Sequence, residues 1–101
     1  MTAFPEGAAP LSADAFRSAI EGREFTTQPA EGPRWRLAHH KGGDFTVRAA
    51  NFSDEGTWSI VDSAVCTEGK KLKYLCNDFQ HMNGDLFIQR EGCEVMRLTR
   101  Q

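Results

Sequence analysis

The sequence predicts a mainly β domain: one short N-terminal α-helix, then eight antiparallel strands in an up-and-down meander that closes into a small barrel. Three observations predict it. From Arg23 onward apolar and polar residues alternate, the period of a half-buried strand and not of a helix. Clusters of Gly, Pro, Asn, Asp and Ser interrupt that pattern about every eight to twelve residues, the spacing of an antiparallel all-β domain. No repeat, low-complexity tract or linker divides the run. Sequential strands on short connections leave two unpaired edges unless the first meets the last, and closure removes both. An open, strongly bent sheet covered by the helix is the alternative arrangement.

Residues 1–11 hold prolines at 5 and 10, a glycine and several alanines, and read as a flexible N-terminal segment, with the single folded domain spanning 12–101. Ser12 is a good N-cap, Asp14 suits the first-turn dipole, and Phe16, Ala19 and Ile20 share one helical face before Gly22 ends the helix. So short a helix is not stable alone and must dock, at one end of the barrel or across one face.

The strands follow in order. Residues 23–27 make the first, ended by a Pro- and Gly-containing loop at 28–33. In 34–39 Trp35, Leu37 and His39 share one face, with Arg34, Arg36 and Ala38 on the other. Lys41-Gly42-Gly43 turns the chain into 44–50, where Phe45, Val47 and Ala49 line the apolar face. Ser53-Asp54-Glu55-Gly56 reads as the next turn, 57–61 as a strand placing Trp58 beside Ile60, and Asp62-Ser63 as a two-residue hairpin connection. Residues 64–67 return, 72–79 follow a charged loop, Asn83-Gly84 is a strong hairpin signal, and 86–90 and 94–100 complete the meander.

With 101 residues the chain is one domain with one core. Its apolar segments fall far short of the roughly 20 residues a membrane helix needs. A net charge of -2, from 12 basic and 14 acidic residues, gives no electrostatic reason to bind nucleic acid. The basic cluster Lys70, Lys71 and Lys73 reads as a solvated hairpin tip.

The three cysteines, Cys66, Cys76 and Cys93, lack the spacing of a zinc or redox site. Ten residues is a natural hairpin separation, so Cys66 and Cys76 are expected to form a disulfide, leaving Cys93 over. A bridge places the protein in an oxidising compartment, and reduced thiols would place it in the cytoplasm. The first residues have neither the basic nor the apolar region of a signal peptide, so an exported protein would be represented here in mature form behind a start methionine.

A helix ending in Gly22, turn-rich strands, Gly56-Thr57-Trp58 and the Cys66, Cys76 pair together resemble small exported bacterial β-barrel proteins of uncharacterised function. More distantly, Gly-x-Trp within a meander is similar to the lipocalin and avidin-like barrels, where it sits on the first strand and not mid-chain. The resemblance implies a lipocalin-like barrel, export to the periplasm or beyond, and a non-enzymatic role.

Candidate chemistry is sparse. His39, His40 and His81 are the candidate metal ligands, but adjacent His39 and His40 point to opposite faces of a strand and cannot share an ion within it. Cys93 has no local signature of a nucleophile. Asp54, Glu55, Asp62 and Asp78 lie where turn chemistry accounts for them, so no catalytic residue and no cofactor is expected. Trp35, Phe45, Trp58, Tyr74 and Phe87 are expected to fill a barrel only wide enough for side chains, leaving at most a shallow mouth pocket. Arg34, Arg36 and Arg48 make a small basic stripe. The leading expectation is a monomeric binding module for a small apolar or amphipathic molecule or a partner protein, contacting it through Trp35, Trp58, Tyr74, Lys70, Lys71, Arg34 and Arg36. The alternative is an inhibitor of a secreted hydrolase, a protease or lysozyme, acting through loops 28–33 and 67–71. A metal or haem carrier is a third reading.

Overall fold

The eight predicted strands form one closed antiparallel barrel in sequential order in the computed structural model, which describes residues 3–90 and 94–101. Helix α1 (Ala13–Ile20) precedes β1 (Arg23–Thr27), β2 (Trp35–His39), β3 (Asp44–Ala49), β4 (Phe52–Val61), β5 (Ala64–Gly69), β6 (Leu75–Met82), β7 (Asp85–Gln89) and β8 (Val95–Arg100). Closure comes from β1 pairing with β8, Phe25 opposite Arg100 and Thr26 opposite Thr99.

Ser12 caps α1 by accepting a hydrogen bond from Ala15 N, and Phe16 and Ile20 are fully buried. Gly22, at φ +73°, makes the reversal into β1 that an L side chain would resist, and its N–H donates to the His39 carbonyl. The helix therefore sits across the end of the barrel where β1 begins, its Phe16 ring 5.2 Å from that of Phe79. Burying two large side chains there stabilises a helix of only eight residues that would not persist in water. The segment before the helix is also tied down, because Ala9 exchanges two backbone hydrogen bonds with His81.

The strand alternation holds on β2 and β3, where Trp35, Leu37 and His39 and then Phe45, Val47 and Ala49 face inward. Three readings are corrected. Residues 53–56 are not a turn but part of the ten-residue β4; the chain reverses earlier, at Ala50 and Asn51, with Ala50 at φ +51°. A long β4 is what the stagger of a small barrel demands: residues 52–57 pair with β3 and residues 56–61 with β5. Gly56 is a close-approach glycine, since a Cβ there would run into the Glu68 carbonyl of β5. The strand expected at 72–79 begins at Leu75, because residues 70–72 are diverted to the Asp54 carboxylate. Finally, Tyr74 is 59 % exposed in that loop and does not join the core, whereas Phe87, between inward Leu86 and Ile88, is buried on the outer row and not in the interior cluster.

Cys66 and Cys76 are directly opposite on β5 and β6 with their Cα atoms 4.0 Å apart, and they are disulfide-bonded. Both alternate with inward residues, so the bridge lies on the outer wall. Cys93 lies outside the described residues.

Candidate functional site

A pocket of about 240 Å³ opens at the barrel mouth opposite the helix. Beneath it His39, Val47, Val65 and Phe79 are at most 2 % exposed, so the accessible space lies at the mouth and the interior towards the helix is packed. The pocket is walled by the inward rows of the strands, including Leu37, Ile88 and Met96. The physical reason is the placement of the large aromatics. Trp58, Phe16 and Phe25 are gathered with Ile20 at the helix end, and the mouth is lined by Trp35 with the smaller Leu72, Leu75 and Thr67.

His39 is sealed beneath the pocket. It is 2 % exposed and ringed by Phe45, Trp58 and Phe25 at centroid distances of 5.2, 5.5 and 6.4 Å. Burial, with a smaller contribution from the neighbouring His40, lowers its pKa to about 4, so the imidazole is neutral near pH 7. A neutral imidazole has one N–H and one lone pair to satisfy, yet its Nδ1 is buried with no hydrogen-bond partner. The same holds for Asn77 Oδ1, which β6 carries inward between Leu75 and Phe79. Thr27, also on the wall, donates its hydroxyl to the Arg97 carbonyl at 2.8 Å.

At the rim, the Arg90 guanidinium lies 5.7 Å from the Trp35 ring centroid and 3.7 Å from the Glu94 carboxylate. Glu94 also accepts from Ala30 N at 2.7 Å, joining the β1–β2 loop to the other side of the mouth. Gln28 Nε2 donates to the Pro29 and Gly32 carbonyls and stiffens that loop from within. Opposite, Asp54 holds the β5–β6 loop. Its carboxylate accepts backbone N–H bonds from Glu55, Lys70, Lys71 and Leu72 at 2.8 to 3.2 Å. Desolvation pushes the Asp54 carboxyl up, but the N–H groups of Leu72, Lys71, Glu55 and Lys70 outweigh it and hold the pKa below its ordinary value. The clamp places Leu72 at the cavity mouth.

Of the predicted contact residues, the structure brings only Trp35 to the cavity. Trp58 is at the far end, donating Nε1–H to the His40 carbonyl at 2.9 Å beneath the Arg17 guanidinium. Tyr74 is outside, its hydroxyl 3.4 Å from Cys76 Sγ. Lys70 pairs with Glu55, and Lys71 donates to the Ser53 carbonyl beside the Phe52 ring. Arg36 pairs with Glu24 on the outer wall, and Arg34 and Arg48 flank a separate outer groove with it. Of the three histidines, His40 contacts Thr46 outside and His81 lies on β6, so the structure does not gather them. Among the described residues no cluster of three His, Cys, Asp or Glu side chains could hold a metal ion.

Sequence reasoning placed His39 on the inward face but weighed it only as a metal ligand, and it passed over Asn77. The signal for Asn77 was present: an amide on the inward parity of β6, between the apolar Leu75 and Phe79. Among the described residues no helix is long and apolar enough to cross a membrane. Comparison of the chain with protein-family models, with curated proteins and with solved structures finds no match in any of the three.

Proposed function

We propose that this chain is a non-enzymatic binding barrel that takes a small, mainly apolar molecule into its mouth, in the manner of the lipocalin-like proteins it resembles. The observation that carries the reading is the mainly apolar pocket at the open end of the barrel, with Trp35, Leu72 and Leu75 at its mouth and Leu37, Ile88 and Met96 further in. Well-packed interiors hold few voids larger than a water molecule, and a dry apolar cavity of about 150 Å³ is sufficient to bind benzene. His39 and Arg90 are the titratable groups on the wall among the described residues, and Arg90 is already engaged with Trp35 and Glu94, which supports binding in preference to acid–base chemistry. The disulfide supports an oxidising location, the periplasm or the exterior of the cell.

The test is protein-observed NMR with benzene and naphthalene. Saturable shifts confined to Leu37, Leu72, Leu75, Ile88 and Met96 are expected, and their loss in a folded Thr67→Phe variant that fills the space. Shifts confined to the outer wall, or none, would refute the reading.

A further inference from the structure

The outer wall of the barrel carries a charge arrangement that its packing does not require. We propose that the groove bounded by Arg34, Arg36 and Arg48 is a binding site for a dianionic phosphate group, free or carried as a monoester. Such a site lies outside the barrel, goes beyond the binding-barrel reading and stands independently of it.

The strand register places the cations. One cross-strand row on the outer wall runs Thr99, Thr26, Arg36, Arg48 and Ser53, from β8 through β1, β2 and β3 to β4. Residues directly opposite on antiparallel strands have Cβ atoms about 4.5 to 5.5 Å apart, so the Arg36 and Arg48 stems leave the wall side by side. Arg34, two residues before Arg36, lines the same groove, together with Thr26 and Gln101. All three arginines are exposed, so a ligand reaches them directly from solvent.

Charge accounting selects the ligand. Like charges directly opposite on neighbouring strands destabilise a sheet, and here the row flanks the two arginines with Thr26 and Ser53 instead of carboxylates. Glu24 engages Arg36, 3.1 Å from its Nε, in an exposed and therefore weak pair. Among the described residues neither Arg34 nor Arg48 has an ion-pair partner. The acidic residues on the next groove do not supply one, because Asp54 is taken up by four backbone N–H groups and Glu55 by Lys70. The whole chain is acidic, with a net charge of -2, so composition does not account for this concentration of cations. Two uncommitted guanidinium groups match the charge of a phosphate dianion, and their planar forks suit its oxygens, whereas a carboxylate would leave one cation uncompensated. Trp35 is half-buried and lines both this groove and the mouth pocket, which gives the organic part of a monoester an indole to lie against.

The test is NMR of backbone amides and arginine Nε–Hε groups at about pH 7.5, above the second phosphate pKa of roughly 6, with sodium phosphate, with phenyl phosphate, and with sodium chloride at matched ionic strength. Saturable shifts at Thr26, Arg34, Arg36 and Arg48 are expected with both phosphates and not with chloride. Arg48→Gln should weaken phosphate about fivefold, and Arg48→Lys, which keeps the charge but loses the fork, should recover only part of that. Lys73→Gln, outside the groove, should change nothing. Equal affinities for the two phosphates identify free phosphate as the ligand, and tighter phenyl phosphate with shifts at the Trp35 indole identifies a monoester. Equivalent shifts with chloride, shifts centred on Lys70 and Lys71, or a phosphate affinity indifferent to Arg48→Gln would overturn the site. None of these results bears on the mouth pocket, whose binding of naphthalene is measured in the same samples and is expected to be equal in wild type and Arg48→Gln.

Discussion

Acidification should destabilise this barrel through one residue before its carboxylates titrate. His39 has a folded pKa of about 4 against 6.5 for an unburied imidazole. Below pH 6.5 the unfolded chain takes up a proton at His39 that the native barrel refuses, so stability falls as the pH falls, and the loss levels off once the folded pKa is passed. Two and a half pKa units correspond to on the order of 3 kcal/mol. That is a large share of the roughly 5 to 15 kcal/mol that holds a domain of this size together. The assay is denaturant unfolding followed by tryptophan fluorescence, at a series of pH values from about 7 down to about 4, for the wild type and for His39→Leu. The wild type should lose most of this stability within that window, whereas His39→Leu should show a much flatter profile. Asp54 acts in a lower window: its pKa lies below the ordinary carboxylate value, so what it contributes is present above that value and is lost only as the pH drops through the folded one. Parallel pH profiles for the two proteins would refute the assignment, as would an NMR titration showing the His39 imidazole protonating near 6.5.

Three other outcomes are expected. Replacing Cys66 and Cys76 by alanine should remove about 2 to 3 kcal/mol, the loop-closure contribution of a ten-residue bridge, and intact mass with and without reductant checks that the bond is present. Gly56→Ala should cost about 1 to 3 kcal/mol or prevent closure, because its new methyl meets the Glu68 backbone of an adjoining strand; a thermal melt indistinguishable from wild type would contradict the register of β4 and β5. Asp54→Ala should leave the barrel folded but raise amide exchange at Lys70, Lys71 and Leu72, which lose their shared acceptor, and unchanged protection there would show that the loop is held by something else.

The contrast between β2 and β4 shows how far a linear pattern reaches. On β2 the alternation of Trp35, Leu37 and His39 with Arg36 and Ala38 is a local consequence of pleating, and it assigned the inward face correctly. On β4 the cluster Ser53, Asp54, Glu55 and Gly56 has turn composition, yet it is extended. What overrides composition there is non-local. Besides the adjacent Glu55 N–H, Asp54 finds its hydrogen-bond donors in residues 70–72, on another loop, and Gly56 serves an approaching backbone from β5. Neither partner is visible within a window of neighbouring residues.

The amino-acid sequence by itself determined the order and number of strands, the capped helix and its stop at Gly22, the Asn83-Gly84 hairpin and the pairing of Cys66 with Cys76. Each of these depends on residues close together in the chain, where period, φ preference and hairpin geometry act directly. The pocket was decided only by the tertiary structure. Where a barrel is filled and where it is open depends on how its inward side chains distribute along the barrel axis. Here closure and stagger collect Phe16, Phe25 and Trp58 at the helix end, bury His39 among them, and leave a pocket at the opposite mouth lined from strands far apart in sequence.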